Sequence, residues 1–465
     1  MQTMRSAISL EAPRKSPGYP RSSAMIGPGL RETISLSATP VAVGLAIGRL
    51  VDHHRGLADR LEDDPRLGAA LVAVAGASRF LSDLCMVEPA ALSALSHLDQ
   101  RHPVPVSCGV WSPTAVGELR RWKRVELLRI AARDLLGVDD LPEVGRALAA
   151  MAADVLQGAC RMAGVEGLAV IGMGKLGGAE LNYASDVDLM LVAADATAAE
   201  RGAREALEVT RSCFRVDVNL RPEGRSGPLV RSLASYEAYW DRWAQTWEFQ
   251  ALLKARPVAG DPDLGQAFVD AARRRLWKRP FTAADRHSVR SLKARAEGEL
   301  SRAVSERDVK LGPGGIRDIE FAVQLLQLVH GGDDVGLRSP TTLDALWDLT
   351  SAGHVDPADA RTLDHAYRVL RTVEQRLQLD REQQVHVLPT DSAALSQLAQ
   401  VMGYRQTSDA SAGEVLAAHL RRLRTAARCI HERLFRLPSA DGTEPTRRQV
   451  DYGQRLPLPV SVTSR

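Results

Sequence analysis

At 465 residues, with 45% hydrophobic and 25% charged residues, the chain has the balance of an ordinary globular protein and room for roughly three domains of ~150 residues each. Lys and Arg total 60 against 57 Asp and Glu, and a net charge of only +3 implies no nucleic-acid-binding stripe. No stretch approaches the ~18 uninterrupted apolar residues of a membrane span, so no membrane association is expected.

Cys85, Cys108, Cys160, Cys213 and Cys429 are odd in number, widely spaced and never in a CxxC pair. That argues against a zinc site or a disulfide framework and fits a reducing cytoplasm. The best apolar candidate for a secretory segment, 41–47, is followed by Asp52, His53, His54 and Arg55 instead of a small-residue cleavage site, so no signal peptide is expected. Basic residues are skewed, with seven lysines against 53 arginines. A lysine is therefore worth locating, because its compact ammonium serves phosphate as a point charge. Lys175, Lys254 and Lys310 all fall in motif-like segments.

Residues 1–35 are rich in Pro, Ser, Arg and Gly without a period and read as disordered. Residues 36–163 read as helical. Leu119, Leu127, Leu128, Ala131 and Leu135 mark an apolar face, and Arg120, Arg121, Lys123 and Arg124 a solvated one. At Leu168 the texture changes, and a small α/β domain is expected from about 164 to 260. Strands are expected at 168–171, 187–192 and 214–220, with a helix over 196–213. A helix over 235–256 places Trp240, Trp243 and Trp247 on one face, most simply as a core stripe. The α/β core with its following helix runs to 290. Residues 291–437 read as a helical bundle, in which a glycine-rich loop from Lys310 hands over to a helix from Ile316 to about His330. Residues 438–465 read as a disordered tail.

The segment from Gly172 to Leu189 carries chemistry. Its opening satisfies G-x-G-x-x-G after a strand, but a dinucleotide crossover needs a full helix next, with an acid ~20 positions on. Here one or two turns fit before Ser185, and the acids open the next strand. A Walker A loop fails as well, since Leu176 follows Lys175. Asp186 and Asp188 are two apart on an expected strand, so both carboxylates face one side. A glycine turn upstream offers backbone N–H groups to phosphate. Asp217 lies in an otherwise apolar strand, where burial is costly without a cation or another partner. Three carboxylates on neighbouring strands suit Mg²⁺ and an in-line displacement at phosphorus. Lys175, Arg221 and Arg225 would neutralise remaining phosphate charge.

These residues resemble a known family. The run Gly174-Lys-Leu-Gly-Gly-Ala-Glu-Leu-Asn-Tyr-Ala-Ser-Asp-Val-Asp-Leu189 is similar to the nucleotidyltransferase signature of the glutamine synthetase adenylyltransferase/adenylyl-removing enzymes. The resemblance continues through Val216-Asp-Val-Asn-Leu-Arg-Pro-Glu-Gly-Arg-Ser-Gly-Pro-Leu229 and Thr246-Trp-Glu-Phe-Gln-Ala-Leu-Leu-Lys-Ala-Arg256. It resumes at Lys310-Leu-Gly-Pro-Gly-Gly-Ile-Arg-Asp-Ile-Glu-Phe321.

The resemblance implies a predominantly α fold with an embedded α/β, polymerase-β-like nucleotidyltransferase core and a C-terminal helical bundle. It implies Asp186, Asp188 and Asp217 as catalytic metal ligands for Mg²⁺, with Gly174, Lys175, Ser185, Arg221 and Arg225 around the nucleotide and phosphate. Lys310, Arg317, Asp318 and Glu320 make either a cross-domain contact to the site or a salt bridge at a helix start, while Lys254 and Arg256 lean towards structure. Family members carry two tandem copies of this architecture, and this chain holds one, worded more like the amino-terminal, AMP-removing copy. The interval from Asp188 to Asp217 is also shorter than the family usually shows. The implied partners are glutamine synthetase, ATP or ADP, phosphate and a PII-type signalling protein, in the cytoplasm. Removal of AMP by phosphorolysis is the leading expectation. ATP-dependent adenylylation and a catalytically silent binding module stay open beside it.

Overall fold

The computed structural model describes residues 27–105, 111–298 and 301–435. The chain is mostly helical around a small mixed sheet of five strands: β1 (Leu168–Gly172), β2 (Val187–Ala193), β3 (Val216–Asp217), β4 (Val230–Arg231) and β5 (Arg256–Gly260). The order is β3-β2-β1-β5, and β4 also pairs with β2. β1 runs antiparallel to β2 and to β5, whereas β3 and β4 run parallel to β2. Among the described residues no helix is long and apolar enough to cross a membrane.

Alternation along β2 divides the apolar interior. Leu189 and Leu191 point into a large core shared with Leu168, Val170 and the helices Pro113–Leu135 and Leu141–Met162. Met190 and Val192 point the other way, onto Tyr236, Trp240 and Phe268. A third cluster fills the C-terminal helices from Val289 to Phe435. The N-terminal helices therefore share one core with the sheet, which holds its back face rigid.

Several expected elements need correction. The disordered segment expected over 1–35 includes a helix, Pro28–Leu36, because Leu30 and Ile34 fall at i, i+4 and bury together; residues 1–26 and the expected tail 438–465 lie outside the described residues. Lys123 is not on a solvated face. It is 5% exposed and pairs with Glu382. The helix expected over 235–256 is two, Leu233–Arg242 and Thr246–Leu252. A capping box of Gln245 and Glu248 restarts the chain, and Pro257 cannot continue a helical path, so the chain enters β5 there. The tryptophan stripe breaks accordingly, with Trp240 buried and Trp243 68% exposed. The strand expected over 214–220 shrinks to Val216–Asp217, because Asp217 Oδ1 accepts the Asn219 N–H at 2.7 Å and bends the chain away. The strands at 168 and 187, the helix Ala196–Arg211 and the helix Ile316–His330 fall where the pattern placed them.

One helix links the regions. Pro357–Leu379 presents Tyr367, Arg371, Glu374, Gln375 and Gln378, all buried, on one face. Gln378 Oε1 accepts the Ala184 N–H at 3.0 Å. Arg376 forks onto Asp134 of the Pro113–Leu135 helix at 2.5 and 2.7 Å, and Tyr183 donates to the same carboxylate at 2.6 Å. The polar face thus fastens the 180–184 segment, which leads directly into Asp186.

Candidate active site

The face of β2 that carries Met190 and Val192 emerges from the core at its N-terminal end, and there period-2 alternation makes the next residue on that face Asp188. β3 lies alongside in parallel register, with Val187 opposite Val216 and Asp188 opposite Asp217. Val216 and Val218 pack towards the larger core, which sends Asp217 to the opposite face, the one that bears Asp188. Of the three acids expected to meet, Asp188 and Asp217 are register partners. Burial, then the nearby charges of Asp217 and Asp186, push the Asp188 carboxyl up to about 7. Such a pair is at ease only with a cation or a shared proton.

The glycine turn is fitted to this carboxylate. Met173 donates its N–H to the Asp188 carbonyl at 2.8 Å. Gly174 comes next at φ +52°, and a Cβ there would lie 2.5 Å from Asp188 Oδ2. It opens a single helical turn, Gly174–Gly177. The carbonyls of that turn are taken by Arg256, at 2.8 Å from Leu176 and 3.0 Å from Gly177. A Cβ at Gly177 would meet the Lys254 carbonyl at 1.8 Å. Arg256 therefore braces the turn, and Lys254 is committed to Glu180 and Thr342. Both serve structure, as their sequence setting leaned.

Lys175 points into the boundary between the sheet and the C-terminal helices. Burial and the neighbouring Lys310 hold its ammonium down to about 8, against the pull of Glu320 and Glu374. Glu320, in turn, is pushed up by burial but held lower by Lys175, Lys254, Arg371 and Lys310, at about 2. Lys310 and Glu320 thus belong to a contact across the regions. Asp318 does not: it closes the Gly314 turn at 2.8 Å and pairs with Lys293 at 2.7 Å inside the C-terminal helices.

Other expected site residues sit differently. Asp186 is held by Arg215 at 2.6 Å, and among the described residues no three His, Cys, Asp or Glu side chains converge to hold a metal ion. The donors that fit a hard cation are therefore the Asp188–Asp217 pair, with Asp186 beside them engaged at one oxygen, Oδ1, by Arg215. Ser185 is half-buried immediately before it. Arg221 is buried, and its guanidinium donates to the carbonyls of Val218, Gly227 and Arg225 at 2.6, 3.2 and 3.4 Å, bracing the turn after Asp217. Arg225 is exposed in a groove of about 550 Å³ with Arg204, Arg211, Glu200 and Glu208, against the helix that covers the far side of the sheet.

Sequence reasoning missed Arg371, Glu180, Asn182 and Tyr367. Arg371, 2% exposed, donates to the Glu180 carbonyl and the Tyr367 hydroxyl at 2.7 Å each, and to Asn182 Oδ1. Arg371 and Tyr367 signal themselves only as part of a row of polar residues at 3–4 spacing on a helix, which reads as an ordinary solvated stripe, while Glu180 and Asn182 lie unremarked inside the Gly174–Leu189 run.

Comparison with known proteins bears on this geometry. The family model described as Glutamate-ammonia ligase adenylyltransferase matches residues 68–212 and 209–271, and that described as GlnD PII-uridylyltransferase matches residues 285–435. A protein of Streptomyces avermitilis is 42% identical over 451 residues, covering 89% of this chain and 44% of its own length. One of Streptomyces coelicolor is 46% identical, over 68% and 34% respectively, and one of Mycobacterium tuberculosis 39%, over 84% and 42%. Each carries the name bifunctional glutamine synthetase adenylyltransferase/adenylyl-removing enzyme. The chain belongs to this glutamine synthetase adenylyltransferase/adenylyl-removing family. It spans less than half the length of the relatives it matches.

Proposed function

We propose that the chain is a nucleotidyltransferase that removes AMP from a tyrosine of glutamine synthetase by phosphorolysis, built on a polymerase-β-like core with a C-terminal helical bundle. The observation that carries this reading is the parallel register that sets Asp188 beside Asp217 next to the Gly174 turn. A phosphate oxygen attacks the phosphorus of the AMP–tyrosine phosphodiester, a new P–O–P bond forms, and the bond to the tyrosine oxygen breaks. The tyrosine oxygen takes up a proton, and ADP leaves. Asp188 and Asp217, joined by the Asp186 oxygen that Arg215 does not engage, would hold Mg²⁺, which supplies charge neutralisation to the phosphate oxygens. Lys175 places a second positive charge on the same side, and the Gly174 turn offers its backbone to phosphate.

The partners of this reading are adenylylated glutamine synthetase, phosphate and ADP, in the cytoplasm. A PII-type protein is a further partner, motivated by the name of the family model over 285–435. Purified chain incubated with adenylylated glutamine synthetase, Mg²⁺ and phosphate should yield ADP. Labelled ATP tests the opposite direction: label on glutamine synthetase, with no ADP from the first assay, would replace removal by ATP-dependent adenylylation. One observation favours a second reading, a non-catalytic binding module, namely the Arg215 guanidinium that already neutralises the nearby Asp186 carboxylate. Stable binding to glutamine synthetase without turnover in either direction would select it.

A further inference from the structure

Lys310 is 135 residues from Lys175 in sequence, yet both act on the same carboxylates. The loop that carries it is rigid. Arg424 donates to the carbonyls of Glu306, Ser305 and Pro313 at 2.6, 3.0 and 3.1 Å, and Asp308 Oδ1 accepts the N–H groups of Lys310 and Leu311 at 2.9 and 2.8 Å. From this loop the Lys310 ammonium reaches Glu374 at 3.8 Å. Glu374 is fully buried and also faces Arg371 Nε at 3.4 Å, but neither of its carboxylate oxygens gains a sound hydrogen bond. Arg371 in turn is bound to Glu180 and Asn182, a few residues beyond the glycine turn. The route from Lys310 to the catalytic face is therefore a short chain of buried contacts. Asp188 senses Lys175 and, more weakly, Lys310.

Two ammonium groups on one small space repel each other. Glu320 and Glu374 offset that repulsion without satisfying it: the Lys310 ammonium makes no hydrogen bond among the described residues, and Glu374 offers only a long ion pair. An ammonium has three donors to place; that of Lys310 is 22% exposed and so open to a ligand, while the buried Glu374 carboxylate beside it lacks a close partner, a state that calls for an explanation. Resting on the nucleotidyltransferase reading above, we propose that Lys310 is a phosphate-contacting residue, so that one phosphate group is gripped by Lys175 from the sheet region and by Lys310 from the C-terminal helices. Glu374 and Arg371 are positioning residues that aim Lys310. The ligand chemistry is a phosphate oxyanion, from inorganic phosphate or from the phosphates of an adenine nucleotide. Bound phosphate would then join the two regions, and nucleotide occupancy would tighten the contact between them.

The test is equilibrium binding to the full chain by calorimetry, with inorganic phosphate, Mg²⁺·ADP and adenosine as separate probes. The variants are Lys310→Met with Glu374→Gln, which removes one charge of each sign and leaves no buried carboxylate stranded, and Glu374→Gln alone. Thermal melting confirms that each is folded. The double variant is expected to weaken phosphate or ADP binding about 10- to 100-fold, the worth of one hydrogen bond to a charged group, while adenosine binding stays within about twofold. Loss confined to inorganic phosphate places the attacking phosphate on Lys310, and loss confined to ADP places the nucleotide's phosphates there. Wild-type binding with an unchanged double variant overturns this inference alone. A wild-type chain that binds neither phosphate nor ADP overturns it together with the proposed function.

Discussion

Gly174 presses against the Asp188 carboxylate: a methyl group at 174 would lie 2.5 Å from Oδ2, at a backbone φ of +52°. Both facts exclude a larger residue. Gly174→Ala should cost about 1–2 kcal/mol through the left-handed backbone alone, and it must also push the carboxylate aside. A displacement of about 1 Å at a reacting centre is worth on the order of 100-fold in rate. We therefore expect ADP release to fall by about two decades while the melting temperature moves by only a few degrees. A variant with normal turnover would mean that the Asp188 position does not matter to the chemistry.

Asp188→Asn separates catalysis from folding. The carboxyl is raised by burial and by Asp217, so its charge costs stability in the native chain when no cation is present. Above the ordinary carboxylate range, therefore, the wild type loses stability progressively as pH rises towards 7, and the amide does not. In chelator at pH 8 the variant should melt at or above the wild-type temperature. Mg²⁺ should raise the wild-type melting temperature and leave the variant's nearly unchanged. Turnover should drop by about three decades, the rate equivalent of ~4 kcal/mol of lost charge stabilisation.

Arg371 tests the helix that joins the regions. Its guanidinium serves Glu180, Asn182, Tyr367 and Glu374 at once, and at 2% exposure water cannot replace it. Arg371→Met leaves a buried carboxylate and two buried carbonyls without their donor, which predicts a loss of about 3–5 kcal/mol in urea unfolding. Arg371→Lys should recover little of this, since an ammonium cannot span four partners with the geometry of a planar fork. Unchanged unfolding midpoints would show that Gln378 holds the 180–184 segment without Arg371.

Legibility from sequence depends on the range of each interaction. β1, β2 and the acids of β2 were readable because alternation and a glycine turn are local, and a pleat of period 2 puts Asp188 on one face with no further information. That Asp217 would join it needed a parallel pairing across 29 residues, which composition suggests but register alone delivers. Arg221 and Asp186 show the limit. Their residue types suit phosphate and metal, yet the carbonyls of the 218–227 turn and the neighbouring Arg215 claim them first. Arg371 and Tyr367 gave no sign, because a buried polar face and a solvated one have the same 3–4 spacing. Only the packing partner tells them apart. Trp243 misled for the converse reason: the stripe assumed an unbroken helix, and the Gln245–Glu248 capping box ended it.

Glu320 makes the boundary between the regions sensitive to acid. Burial alone would raise its carboxyl, but Lys175, Lys254, Arg371 and Lys310 outweigh burial and hold it at about 2. A carboxylate depressed in the native state binds its proton more readily in the unfolded chain, so stability rises with pH across the interval between the two values. Its contribution is complete above the ordinary glutamate range, near 4.5, and is lost as pH falls towards 2. Glu320→Gln removes that contribution together with the charge that balances the two lysines. The variant should therefore be less stable than wild type at pH 7, with the gap in urea midpoint narrowing steadily below pH 4.5. Equal midpoints at pH 7, or a gap that stays constant down to pH 3, would show that the cations around Glu320 are satisfied elsewhere and that its charge does not hold the C-terminal helices to the sheet.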